Sequence, residues 1–420
     1  MLSQVEKSSN YYIFPAGIYK NTYKGIWSDF IKGKGMQKEY LSQKDKYNDY
    51  IDFINAKNIE GSITVNEINQ ILEDALSFGK HRVIQIYDID INKKYTKDEI
   101  INEISKKYSI TENYNELART YEYDENNDLD ALAYFKILDI AENDVVNYVR
   151  IIMVKKVSYK TNDNKLQSEN SYFPIDIDFL NKKILVKYYD KEYMKGDSRG
   201  EVLANLYANI IINLFNDIEL AVTKQKEYQN ALYNICNKIL NDVIYERSKI
   251  ILNNIDEVVN KTSKVLKEGL KKSINIDELL KKHGKNIFNI DEQIYKFIEN
   301  ICISKVIYEA SEEDASSVEG LISYITYKEQ GQVRTTIKNP NKRENLLDSQ
   351  SYLNLRAALE DSKHIEIMKM IWNVVSEKDS CKKISVKYDV SKYEYSSIKF
   401  YWKYTQEELD YARKQIQQFC

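Results

Sequence analysis

The stretch Glu201–Glu268, EVLANLYANIIINLFNDIELAVTKQKEYQNALYNICNKILNDVIYERSKIILNNIDEVVNKTSKVLKE, contains neither glycine nor proline. Its apolar residues recur at helical spacing. Leu203, Leu206, Ile210, Leu214, Ile218 and Val222 step by three and four, widened by Ile211 and Phe215, which is one stripe of an α-helix. A second stripe runs through Tyr228, Leu232, Ile235, Ile239 and Val243. A third, Ile251, Ile255, Val258, Thr262 and Val265, alternates steps of four and three as in a coiled-coil seam. The run Thr223–Tyr228 has no strong apolar residue until its end, so a bend or a tight helix–helix turn is expected there. One unbroken helix would reach roughly 100 Å, longer than a compact domain needs. The stretch therefore reads as one or two long helices. They form either the core of a helical bundle or a projecting coiled-coil hairpin that meets a second copy of the chain. Asn241, Asn253 and Asn254 interrupt the seam.

Working outward, the preceding residues read as strands and capped helices. Thr64 with Glu67, and Thr96 with Glu99, are capping boxes, and Gly79 ends the first of these helices. Arg82–Tyr87 is a strand. Ala118–Tyr123, Leu132–Asp139, Asn147–Tyr159, Tyr172–Phe179 and Lys183–Tyr189 follow without a helix between them, so an antiparallel meander is the simplest sheet. Beyond the central stretch, helices are expected near 277–283 and 290–305, a hairpin over 320–338, a helical span over 346–375 with a break near Ser362 as an alternative, and two more strands. A last helix opens at the capping box Thr405/Glu408. The fold class is α+β: an N-terminal antiparallel meander sheet with helices, long central helices and a small C-terminal α+β unit. The expected domains are 1–195, 200–272 and 273–420.

At 420 residues the chain is too long for one ordinary core. Its 61 Lys and Arg nearly balance 64 Asp and Glu, which argues against a global attraction to nucleic acid or membrane but not against a local patch. Abundant Tyr, Ile, Lys and Asn reflect an AT-rich genome, so the 35 tyrosines are not read as stacking platforms. A low-GC bacterium or its phage fits that bias. The four cysteines, Cys236, Cys302, Cys381 and Cys420, are far apart and form no Cys-x-x-Cys, which speaks against a zinc site or a disulfide framework. Met1–Asn10 lacks the apolar core of a signal peptide. No apolar run approaches the roughly 20 residues of a membrane span. A cytoplasmic protein without a membrane partner is expected.

No catalytic or cofactor motif stands out, and no cofactor is assigned. Gly33-Lys34-Gly35 lacks the length and the Gly-Lys-Ser/Thr ending of a phosphate-binding loop. Asp88-Ile89-Asp90 and Asp176-Ile177-Asp178 each precede an Asn and two Lys. Alternate strand residues share a face, so each acid pair could hold a hard cation for phosphate chemistry. The plainer reading is exposed acids at a strand end followed by an Asn-Lys turn. A restriction-type acid-x-Lys fails at Lys187, because the residue two before it is Leu185.

The basic residues say more. Lys261, Lys264, Lys267 and Lys271 form a ridge on one helical face, and Lys261 to Lys285 holds eight lysines against three acids. Arg334, Lys338, Lys342 and Arg343 are interleaved with small polar residues, as backbone-positioning contacts to nucleic acid are. A solvated helix face and a plain surface loop are the alternative readings. The sequence points to a non-enzymatic binding protein that self-associates through its central helices. Nucleic acid or protein would dock near the ridge and the 334–343 loop, in a bacterial genome-associated or phage-defence setting. The alternatives are a metal-dependent, nuclease-like phosphoryl-transfer enzyme built on Asp88, Asp90, Asp176 and Asp178, and a protein-only scaffold.

Overall fold

The computed structural model describes residues 21–110, 114–115, 117, 131–160, 165–191, 196, 199–252, 255–274, 291, 293–298, 301, 319–328, 333–339, 346, 350–375 and 381–420. The expected strand Ala118–Tyr123 lies outside them. In chain order the elements open with α1 (Lys24–Gly33), α2 (Gln37–Ser42), α3 (Tyr50–Ile59), α4 (Val65–Phe78), β1 (Arg82–Ile91) and α5 (Lys97–Ser105). Then come β2 (Ala131–Ile140), β3 (Val146–Lys160), β4 (Leu166–Asp178), β5 (Lys183–Tyr189), α6 (Gly200–Leu214) and β6 (Ile218–Leu220). Next are α7 (Gln225–Leu252), α8 (Ile255–Ile274), β7 (Gly320–Lys328), β8 (Arg334–Lys338) and α9 (Gln350–Ser362). The last are β9 (Ile367–Val375), β10 (Cys381–Asp389), β11 (Ser396–Phe400) and α10 (Gln406–Gln417). The fold is α+β with a large antiparallel sheet. Two compact units divide the chain: Met1–Gln225 with Val386–Tyr411, and Lys226–Ser385 with Ala412–Cys420.

In the first unit, β2, β3, β4 and β5 pair antiparallel in sequence order, and β5 pairs with β1. On its other side β1 pairs with β11, and β11 with β10. Both faces of the sheet are covered, because successive side chains point opposite ways and both sets are apolar. Val149, Ile151 and Met153 of β3 join Ile175, Ile177, Ile184 and Val186 in a core with α5 and α6. Ile152 and Val154 face the other way, into a core with Trp27, Phe53, Ile54, Leu72 and Leu76 of α1, α3 and α4. Thr64 and Thr96 accept from the backbone N–H groups of Glu67 and Glu99, whose carboxylates accept in return, completing both capping boxes. Gly79 follows α4 as expected, but in extended backbone. The need for glycine is steric: a Cβ there would overlap the carbonyl oxygen of Ala75.

The central stretch departs from a continuous rod. Helix α6 ends at Leu214, and Ile218–Leu220 pairs with the end of β1, Ile89–Ile91. Ile218 therefore sits on a strand, and Val222 is 92% exposed. The buried side of α6 is Leu203, Ala204, Tyr207, Ala208, Ile211 and Leu214, whereas Leu206 is exposed. Tyr207 buries more surface than Leu206 would and packs on Phe173 of the sheet, which sets the rotation of the helix.

In the second unit, α7 buries Tyr228, Leu232, Ile235 and Ile239 of the second stripe; the side chain of Val243, its last member, lies outside what the structure describes. Strands β8, β7 and β9 form an antiparallel sheet, and the backbone N–H of Ile365 donates to Gln229 of α7. On α8 the buried line is Ile255, Val259 and Ser263, with Ile255 and Val259 against Ile294 and Ile298. The expected seam past Ile255 faces out instead: Val258 is 47% and Val265 72% exposed. Both lines have helical spacing, and the packing of Ile294 and Ile298 selects the one that starts Ile255–Val259. Among the described residues no helix is long and apolar enough to cross a membrane.

Candidate functional site: a cleft over a buried charge cluster

Arg150 of β3 and Asp176 of β4 stand directly opposite each other in register. By parity they share the face of Ile152, the side covered by α4. Arg150 Nε donates to Asp176 Oδ1 at 2.7 Å and Nη2 to Oδ2 at 3.1 Å, a bidentate pair. Tyr148 donates its hydroxyl to Asp176 Oδ2 at 2.8 Å. Lys187 of β5 brings Nζ to 2.6 Å from the same oxygen, an ion contact whose N–H directions complete no hydrogen bond. Glu73 of α4 accepts from Arg150 Nη1 at 3.3 Å. The ring of Phe78 lies 4.8 Å from the guanidinium and 4.5 Å from the ammonium, a placement that favours cations.

Arg150, Asp176, Lys187 and Glu73 are all buried, with side chains at most 7% exposed. Burial alone would raise the Asp176 carboxyl, but Arg150 and Lys187 outweigh it and hold the group below the usual carboxylate range. Burial pushes the Lys187 ammonium down to about 8, against the pull of Asp176 and with the repulsion of Arg150. Two cations thus sit with two carboxylates in a buried interior, where removing the shared anion Asp176 would leave both cations uncompensated.

Above this floor opens a cleft of about 450 Å³, within the range of small-ligand sites. Leu138 and Asp139 come from the end of β2, and Asn147 and Tyr148 from the start of β3. Asp178, Leu180 and Asn181 belong to the β4–β5 corner; Phe78, Gln406 and Asp410 close the wall beside Arg150. Each wall carboxylate is oriented by an amide. Asn147 Nδ2 donates to Asp139 at 2.9 Å, Asn181 donates its backbone N–H and Nδ2 to Asp178, and Gln406 Nε2 donates to Asp410 at 3.1 Å. The Asp178–Asn181 bond is an Asx-type turn, and Lys182 completes that corner at φ 54°.

The four acids singled out in the sequence have different fates. Asp176 is the buried anion of the floor, and Asp178 is buried in its turn rather than exposed. Asp88 pairs with Lys183, which stands in register between Asp88 and Asp178. Asp90 is exposed. Among the described residues no three His, Cys, Asp or Glu side chains are grouped so as to hold a metal ion. Sequence reading passed over Arg150 and set Lys187 aside. The available signal was a single charge inside an apolar strand, Val149-Arg150-Ile151 and Val186-Lys187-Tyr188.

The basic residues lie on the second unit. Lys261, Lys264 and Lys271 are exposed on α8, and Lys267 is half-buried. Lys261 pairs with Glu257 and Lys267 with Asp291, both at 2.6 Å. On β8, Arg334 pairs with Glu366 at 3.0 Å and Lys338 is exposed. Lys342 and Arg343 lie outside the described residues. The ridge is therefore a real helical face, with part of its charge met by nearby acids. Compared with family models, curated proteins and solved structures, the chain matches none.

Proposed function

We propose that the protein is a non-enzymatic binding protein whose recognition site is the cleft of the first unit. One arrangement supports this reading above all: the charges beneath the cleft are committed to one another. Asp176 Oδ1 accepts from one guanidinium nitrogen, and Oδ2 accepts from the other and from the Tyr148 hydroxyl with the Lys187 ammonium 2.6 Å away, so both carboxylate oxygens are engaged within the floor. Such a floor is rigid and pre-ordered, as a binding site requires, and offers Asp176 no freedom to exchange a proton with a guest. The test is a thermal-shift screen of small charged and neutral molecules, followed by mass spectrometry of each ligand recovered after long incubation. Unchanged ligand is the expected result. Steady conversion by the pure protein overturns the reading.

Self-association is a second reading, supported by the outward seam of α8. Val258, Thr262 and Val265 keep coiled-coil spacing, and Val258 and Val265 stay exposed with Leu266 beside them. A second copy of the same helix is the occupant that such a seam fits. Sedimentation equilibrium should show a dimer that Val258→Asp with Val265→Asp dissociates; a monomer at every concentration overturns it. A phosphate backbone would be the partner for Lys264, Lys271 and Lys338. Its binding should fall steeply between about 50 and 200 mM salt, and binding indifferent to salt removes nucleic acid from consideration.

A further inference from the structure

We infer that two copies of the chain pair through the exposed seam of α8 with the two helices running in opposite directions. This rests on the seam being a self-association surface. The exposed line is Val258, Thr262, Val265 and Gly269, with Leu266 on one flank. Val258, Val265 and Leu266 are 47%, 72% and 45% exposed. Steps of four, three and four are those of the core positions of a coiled coil. The chain's own packing uses a different line of the same helix, Ile255, Val259 and Ser263, so a partner helix can lie on the seam without displacing it.

Charge sets the direction. The first turn of α8 is acidic, Asp256 and Glu257, and its last turn basic, Lys271 and Lys272. Parallel copies would set acid beside acid and base beside base. Antiparallel copies set each acidic turn near a basic one and oppose the helix dipoles. Lys261 and Glu268 are both exposed and stand two helical turns apart, so they share one flank of the seam. When Thr262 of one copy faces Val265 of the other, each Lys261 comes beside the Glu268 of the opposite helix, twice per dimer by symmetry. In a parallel pair the same two residues would face Leu266 and Ser273 instead. Lys261 meets Glu257 of its own helix at 2.6 Å, but that pair is solvent-exposed and weak enough to exchange. Side-chain volume favours the same direction. Antiparallel copies put Val258 opposite Gly269 and Val265 opposite Thr262, so each layer joins a larger residue to a smaller one. A side chain built on Gly269 would meet nothing within 4 Å, and this is the space that Val258 of the second copy would fill. Parallel copies would stack Gly269 on Gly269 and leave a void.

The experiment is sedimentation equilibrium of the full chain at about 50 mM sodium chloride, where exposed charges are least screened. It compares the parent with Lys261→Glu, Glu268→Lys and the variant carrying both. Both residues are exposed, so all three variants should keep the parent's thermal midpoint closely. Each single reversal turns two attractive contacts into two repulsive ones and should weaken the dimer about tenfold. The double variant restores opposite charges across the interface and should return to within about twofold of the parent. A dimer that ignores the single reversals, or that the double variant fails to restore, overturns the antiparallel direction and leaves self-association through the seam standing if Val258→Asp with Val265→Asp still dissociates it. A parent that stays monomeric at every concentration, or a dimer indifferent to Val258→Asp with Val265→Asp, overturns the seam and the direction together.

Discussion

Replacing Asp176 by Asn should cost the first unit about 3–5 kcal/mol at pH 7, the usual consequence of removing one member of a buried ion cluster. The substitution keeps the shape of the side chain and deletes its charge. The amide keeps one acceptor oxygen, but Arg150, held at 2.7 and 3.1 Å, and Lys187, at 2.6 Å, lose their counter-charge and one of the two oxygens, and both remain enclosed. The unit has about 250 residues, so each kcal/mol should move its thermal midpoint by about 2–4 °C and the whole change by about 6–20 °C. Lys187→Met should behave differently. It leaves the bidentate pair and the Tyr148 hydroxyl in place and removes a cation that burial already disfavours, so a change within about 1 kcal/mol is expected. The pH dependence separates the two. Because the folded lysine has fallen to about 8 from an ordinary 10.5, the unfolded chain binds more protons between those values. This residue therefore makes stability climb as pH rises through that window, and contributes no slope well below pH 8. The climb should vanish in Lys187→Met. In Asp176→Asn the lysine loses its attractive partner, so the deficit should shrink as pH rises from 6 to 9. Circular dichroism melts across that range provide the measurement, with amide exchange on β3–β5 peptides locating the loss in the first unit. An Asp176→Asn cost below about 1 kcal/mol, or a Lys187→Met cost equal to it, would refute the reasoning.

Gly79→Ala should destabilise by about 2–3 kcal/mol, since its Cβ must displace the Ala75 backbone; a denaturant midpoint equal to the parent's would contradict that. Thr405 caps the last helix by accepting from the Glu408 N–H at 3.3 Å. Thr405→Ala should cost about 1 kcal/mol in urea unfolding, with Thr405→Ser restoring most of it. Phe78→Leu keeps the volume roughly but loses both cation contacts and the edge-on ring of Tyr404. A loss of about 1–2 kcal/mol is expected by the same measurement.

The capping residues were legible because a cap is a local signal: Thr64, Thr96 and Thr405 each stand three residues before a glutamate. Strands β1 to β5 were legible from β-branched and aromatic runs between polar joints, whereas β9 was not: the expected helical span over 346–375 stops at Ser362, and Ile367–Val375 pairs with β7 as a strand. The rotation of the helices was not. Leu206 and Tyr207 are both apolar, and so are Val258 and Val259; which one turns inward depends on what packs across from it, Phe173 in one case and Ile294 in the other. The break after Leu214 was hidden for a similar reason. Ile218–Leu220 continues a helical spacing, but pairing with Ile89–Ile91 satisfies its backbone as a strand. The candidate site was least legible. Arg150, Asp176 and Lys187 lie on three strands, and their meeting depends on register. The motif test applied to Lys187 looked two residues along the chain, whereas its carboxylate came from the neighbouring strand.

Strand β1 is bracketed by β5 and β11, and roughly 300 residues separate it from the second of these. At a translation rate of about 5–20 residues per second, its far edge stays bare on the ribosome for about 15–60 s while the rest of the first unit's strands and the Lys226–Ser385 part of the second unit are made. The hydrogen-bonding row Val83–Ile86, which in the finished protein meets Ser396–Lys399, is for that interval an open template for any other extended chain. Yield during expression should therefore respond to chaperone supply and growth temperature more than the stability of the mature protein would suggest.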